Sequence, residues 1–188
     1  MLVRCISSDS VHVALQVQGP GSKAPAKECM FERSAAAAIS VSTGAAVVPV
    51  GCTLASSDTG LIGTAGGRST AKRTHVEGNH DSNVALGTAA TADLSNCIIS
   101  GCVCRNGVLV KCTGTKATAK DCRIQSDTMC GVVASLGGLL ELLGGSLKGG
   151  VAYSAFAEGT GSWVMICLST ALDKRMLLCW GARCCSRN

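Results

Sequence analysis

Aromatic side chains are almost missing: the 188 residues include 2 Phe, 2 Trp and 1 Tyr. A chain so poor in flat rings offers no platform on which single-stranded bases stack. Charged residues are scarce too, at 15%. That excludes disorder as the default state, because disordered chains are polar and charge-rich. A secretory signal needs a charged segment followed by an apolar core, whereas the N-terminus reads Met1-Leu-Val-Arg-Cys-Ile-Ser-Ser-Asp9. Long apolar runs are lacking as well. Gly131–Gly145 is broken by Glu141 and its glycines, and Trp163–Trp180 by Asp173, Lys174 and Arg175. A membrane-spanning helix needs about 20 uninterrupted apolar residues. The expected setting is cytoplasmic, with neither membrane nor nucleic acid as partner. The net charge of +5 is mild, and much of it comes from Lys174, Arg175, Arg183 and Arg187 near the C-terminus. The body is close to neutral and carries no overall electrostatic footprint for a polyanion.

Small and apolar residues take up the room. Hydrophobic residues reach 47%, with 23 Gly and 13 Cys. So many glycines argue against a helical bundle. In a cytoplasmic chain the cysteines read as free thiols.

The chain repeats itself. Cys29-Met-Phe31, Cys52-Thr-Leu54, Cys97-Ile-Ile99 and Cys122-Arg-Ile124 share a pattern, with Thr74-His-Val76 and Gly145-Ser-Leu147 as degenerate copies. The first positions are separated by 23, 22, 23, 25 and 23 residues. A second column holds Ile39, Leu61, Val84, Val108, Val132 and Ala155; a third holds Ala24/Ala26, Val47/Pro49, Ser69/Ala71, Ala92/Leu94, Ala117/Ala119 and Leu140/Leu142. Period-2 alternation means strands. A unit with three short strands cannot bury its own inner face and must stack on its neighbours as a solenoid. Leu136, Leu139, Leu140 and Leu143 have helical spacing, but Gly137 and Gly138 and the repeat register favour strand there.

Two residues along a strand share a face. The thiols of Cys29, Cys52, Cys97 and Cys122 are therefore expected to point inward with Phe31, Leu54, Val76, Ile99, Ile124 and Leu147, forming a structural ladder of small apolar groups. A line of thiols on parallel strands does not suit the tetrahedron that zinc prefers. Cys102, Cys104 and Cys112 form a smaller cluster open to metal binding or oxidation. Cys179, Cys184 and Cys185, near Arg183, are expected to be reactive.

With these columns the sequence resembles the parallel β-helix repeats of the pectate-lyase-like superfamily. It is most similar to the Gly- and Cys-rich right-handed type found in F-box adaptors and algal proteins. The most typical stretch is Ala117-Thr-Ala-Lys-Asp-Cys-Arg-Ile-Gln-Ser-Asp-Thr-Met-Cys-Gly-Val-Val-Ala-Ser-Leu-Gly137. The resemblance covers about residues 20–168. It implies an all-β, right-handed parallel solenoid of about seven rungs over 1–168, part of a longer solenoid. Residues 169–188 are expected to be a Cys-rich basic tail or a short amphipathic capping helix.

Polysaccharide-cleaving members of that superfamily cluster acids on adjacent rungs, for acid–base hydrolysis or calcium binding. The outward columns here are Met30/Thr53/His75/Ile98/Arg123/Ser146, Glu32/Ala55/Glu77/Ser100/Gln125/Lys148 and Glu28/Gly51/Arg73/Asn96/Asp121/Gly144. None has carboxylates on successive rungs. The remaining candidates for a metal or acid–base site are His75, Glu77, His80 and Asp81, against a plain solvated turn. A cysteine nucleophile is not expected, because no His lies in register to activate one. The expected role is a non-catalytic scaffold, without cofactor, that presents a flat sheet face to a protein partner and is open to end-to-end self-association. A polysaccharide-binding or polysaccharide-cleaving protein and a truncated chain without independent function are the alternatives.

Overall fold

The computed structural model describes residues 1–126, 129–149 and 152–167; for Ser126, Leu177–Trp180 and Arg183–Ser186 it describes the backbone alone. All described regular structure is strand, and every pairing is parallel. The strands form three sheets that run the length of a solenoid: one of nine strands, one of seven and one of eight. Each full turn contributes one strand to each. One turn, for example, consists of Arg68–Lys72 in the nine-stranded sheet, His75–Glu77 in the seven-stranded sheet and Ser82–Leu86 in the eight-stranded sheet.

Register follows the repeat. Phe31, Leu54, Val76, Ile99, Ile124 and Leu147 lie directly above one another in the seven-stranded sheet, and all are buried. Ile39, Leu61, Val84, Val108, Val132 and Ala155 form the matching column of the eight-stranded sheet. Cys130–Ser135 and Leu139–Leu143 are strands, so the glycine pair outweighs the helical spacing of the leucines. The core is a narrow stack of aliphatic rows, filled by side chains from all three sheets.

The corners explain how so short a rung closes. Between the nine- and seven-stranded sheets, each turn pivots on a residue in the left-handed region, Arg4, Glu28, Gly51, Arg73, Asn96, Asp121 or Gly144, and in the last of these Gly145 shares it. Left-handed backbone costs a non-glycine residue roughly 1–2 kcal/mol. Stacking offsets it, because the amide of each pivot donates to a carbonyl of the next rung, as from Glu28 to Val50 at 2.9 Å and from Arg73 to Ser95 at 3.0 Å.

Immediately after each pivot comes the cysteine ladder. Cys29, Cys52, Cys97 and Cys122 are 1–3% exposed. Their S–H groups face the carbonyl two residues back, at Lys27, Val50, Ser95 and Lys120. Thr74 fills the same position and donates to Lys72 O and Pro49 O, both at 3.2 Å. The position therefore selects a small side chain that also carries a donor. In the last copy Gly145 replaces it with φ +75°, and a Cβ there would collide with Cys122 O.

The expected C-terminal capping helix meets a correction where the chain is described. Leu177–Trp180 pairs with Tyr153–Glu158, and Arg183–Ser186 pairs with Trp163–Cys167, both as parallel strands. The solenoid pattern continues there because alternating backbone hydrogen bonds on an open sheet edge favour another strand. Of the expected tail, 169–176, 181–182 and 187–188 lie outside the described residues.

Candidate functional site

Two surfaces carry chemistry. The first is the corner between the seven- and eight-stranded sheets in three successive rungs. It comprises Ser57 and Asp58, then Asn79, His80 and Asp81, then Cys102, Cys104 and Arg105. Backbone hydrogen bonds stack these corners: His80 N donates to Ser57 O, Asp81 N to Asp58 O and Cys104 N to His80 O, at 2.8–2.9 Å.

A buried polar seam beneath holds the corner in place. Asn79 is fully buried. Its Oδ1 accepts from Ser57 N at 3.0 Å, and its Nδ2 donates to Leu54 O at 3.2 Å and Asn83 Oδ1 at 2.8 Å. Asn83 Nδ2 then reaches Ser100 O at 2.9 Å. Buried amides without partners would cost stability, so this seam tolerates little displacement. Gly60 is required beside it, since a Cβ there would sit 2.6 Å from Asn83 O and overlap Val76.

Above the seam, charged and nucleophilic groups line up on the surface. Cys104 Sγ lies 3.3 Å from His80 Nε2. On the other side of the ring, His80 Nδ1 lies 3.7 Å from Asp58 Oδ1. Asp81 accepts from Arg105 Nε at 3.1 Å and from Ser82 Oγ at 3.3 Å, while Cys102, buried, points its S–H at Asp81 O. The expectation that no histidine lies in register with a cysteine is thus corrected. His80 stacks on Cys104 one rung away, and the 24-residue spacing is itself the repeat. The signal was present in the sequence, but in a corner column that lies outside the three outward columns given above. Asp58 and Asp81 stack in the neighbouring column, one residue along.

The four candidates from the sequence are not gathered into one site. His75 and Glu77 point outward from their strand, in register with Thr53 and Ile98 and with Ala55 and Ser100. His80 and Asp81 belong to the corner and face different partners. Among the described residues no group of three or more His, Cys, Asp or Glu side chains is gathered to hold a metal. The buried thiols are shielded from solvent and do not shift together: the hydrogen bond with Cys122 holds Cys97 down, to about 7, while its neighbours move the other way. Burial pushes Cys52 and Cys130 up, and Cys122 is driven up first by its hydrogen bond with Cys97 and then by burial. The side chains of Cys179, Cys184 and Cys185 lie outside the described residues.

The second surface is the outer face of the nine-stranded sheet. Its strands are five residues wide over most of the length, and positions one and five face out. Those positions carry Lys23 and Lys27, then Ala46 and Val50, then Arg68 and Lys72, Thr91 and Ser95, Lys116 and Lys120, and Leu139 and Leu143. Two rails of exposed cations result, occupied on every second rung. Strand geometry sets the cations about 10 Å apart along each rail and the rails about 13 Å apart. Between them run Pro25, Val48, Thr70, Asp93, Thr118 and Glu141. Asp93 and Glu141 are the acids of that middle column, and Glu141 is engaged by Lys116 at 3.0 Å and Thr118 at 3.3 Å. Six cations are thus gathered on one flat face, of which Lys116 is paired with Glu141 and Lys27 with Glu28. The rails were legible as basic residues two repeats apart, once the strand phase is known.

A family model described as a right-handed beta helix region matches residues 2–146. No curated protein and no solved structure matches the chain.

Proposed function

The chain belongs to the right-handed β-helix family, and we propose that it is a non-catalytic protein-interaction module. Its contact surface is the outer face of the nine-stranded sheet and its partner is an acidic protein surface. The twin rails of Lys23, Lys27, Arg68, Lys72, Lys116 and Lys120 carry the reading. Parallel sheet held on both sides by neighbouring rungs is rigid, so the cations are arranged before binding and little ordering is needed on contact. At its first rungs the strip between the rails is apolar, with Pro25 and Val48, which matches an interface with an apolar centre and a charged rim; Asp93 and Glu141 interrupt it further along. Complementary charge then sets orientation and association rate. A nucleic-acid strand is the poorer match, because Trp163, exposed at the end of one rail, is the single aromatic side chain along the rails among the described residues and offers one ring where successive bases need several.

The test uses poly-L-glutamate and an oligothymidylate of equal charge as probes of the full chain. Poly-L-glutamate should bind the wild type, weaken steeply between low and physiological salt, and be lost in the double variant Arg68→Glu, Lys72→Glu. His75→Ala, on a different sheet, should bind as the wild type does. Binding that survives the double reversal would remove this face from the reading. Equal or tighter binding of the oligothymidylate would replace a protein partner by a general polyanion.

A further inference from the structure

We propose that Cys104 is a redox-modified thiol, activated by His80, that exchanges with low-molecular-weight disulfides. Three observations converge on it. Among the described residues Cys104 is the one exposed cysteine; the others are buried or half-buried. Its sulfur faces His80 Nε2 at hydrogen-bonding distance. The far side of the same ring faces a carboxylate, Asp58. A carboxylate beside Nδ1 favours the ring proton there, which leaves the Nε2 lone pair directed at the thiol. The three groups come from three successive rungs, and the buried Asn79 seam fixes the middle one. Sequence separation is therefore no obstacle to a standing arrangement.

The chemistry is a balanced exchange. Cys104 gives its proton to His80 Nε2. The thiolate attacks one sulfur of the small disulfide; a new S–S bond forms to Cys104 and the old one breaks. The departing thiolate takes the proton back from the imidazolium. One disulfide is consumed and one mixed disulfide formed, with one free thiol released, and no further oxidant is needed. The site sits on a projecting corner with all three side chains open to solvent: His80 is 66% exposed and Asp58 49%. An exposed corner of this kind suits encounter with a small solute. Asp58 acts through His80 and is a positioning residue.

The experiment exposes the reduced full-length chain to glutathione disulfide, quenches in acid at intervals and maps the adduct by peptide mass spectrometry. Cys104 should be modified ahead of Cys5, Cys112 and the buried cysteines. His80→Ala should slow its modification about tenfold, with the far-ultraviolet circular dichroism unchanged and part of the rate restored by free imidazole. Asp58→Asn, which keeps the ring and the corner, should slow it about two- to threefold. The proposal is overturned if Cys104 reacts no faster than Cys112. It is equally overturned if His80→Ala keeps the wild-type rate, or if Asp58→Asn does so where His80→Ala fails to fold.

Discussion

Cys97 is 1% exposed and directs its S–H toward Ser95 O and Ala71 O. Cys104, on the same rung, is exposed and faces an imidazole. The difference lies in their phase within the rung. Cys97 follows a left-handed pivot and enters a strand, so the stack above and below covers it. Cys104 falls in a corner that lengthens over three rungs, and the extra residues have no row to join. In a solenoid a residue's chemistry depends on its column more than on its type. A column that leaves the strands becomes a surface on which successive rungs can place different groups side by side.

The sharpest way to break this comparison is to put a charge into a strand column. Ile124 is buried in the inward row of the seven-stranded sheet, whereas its neighbour Arg123 points out and is exposed. Ile124→Asp leaves an unpaired carboxylate among aliphatic side chains and should cost several kcal/mol, enough to unfold the chain. Arg123→Asp should stay within about 0.5 kcal/mol of wild type. Urea unfolding followed by circular dichroism separates them. Near-native stability of Ile124→Asp would mean that the rows are out of phase by one residue.

A finer cut isolates what the ladder position demands. Thr74 stands in for cysteine and makes the same backward hydrogen bond. Cys97→Thr should therefore fall within about 0.5 kcal/mol of wild type, while Cys97→Val, similar in shape but without a donor, should cost about 1 kcal/mol. Equal midpoints for the two variants would reduce the ladder to packing alone.

The rows, their spacing and the parallel order were legible in the sequence because packing repeats: Leu54, Val76 and Ile99 must each fill the same space. The corners were not. Arg4, Glu28 and Arg73 adopt a backbone conformation that their residue types disfavour, and the hydrogen bonds of the next rung offset its cost. Nothing local marks them as pivots. Asn79 reads as a polar turn residue, yet it is fully buried because Ser57, Leu54 and Asn83 together satisfy its amide. The pairing of His80 with Cys104 was within reach of the repeat arithmetic, but corner lengths vary from rung to rung, so strand register does not carry into the corner. The rails on the nine-stranded sheet were hidden in a similar way. Whole-chain charge averages over faces, and the alternation of basic and apolar rungs emerges only when Lys23, Arg68 and Lys116 are placed in one row.

The smallest expected effect concerns the first rung, where the comparison between strand row and corner is weakest. Its inward position holds Ser7 in line with Phe31, and Leu2, Cys5, Ala14 and Leu15 are only partly buried against the core. Corner ion pairs supplement this thin packing. Arg33 donates to both oxygens of Asp9, at 2.8 and 3.1 Å, and Arg4 donates to Glu28 at 2.9 Å, each pair joining the first rung to the second. The hydrogen bond from Arg33 holds the Asp9 carboxyl below its ordinary 3.8, and the hydrogen bond from Arg4, then the charge of Lys27, holds Glu28 below 4.5. Both pKa values are depressed in the native state, so near pH 4 the folded chain binds fewer protons than the unfolded chain. The stabilisation is complete above that range and is lost as pH falls through the native values. Both pairs are exposed and salt-screened, so the contribution is modest. Hydrogen exchange of the segment Leu2–Gln18, corrected for intrinsic rates, should show lower protection at pH 3 than at pH 6, while Thr91–Lys111 keeps its protection. Arg33→Gln should lower protection at pH 6 and flatten its pH dependence. Equal protection of the first rung at both pH values in the wild type would mean that its sparse inner row suffices to hold it.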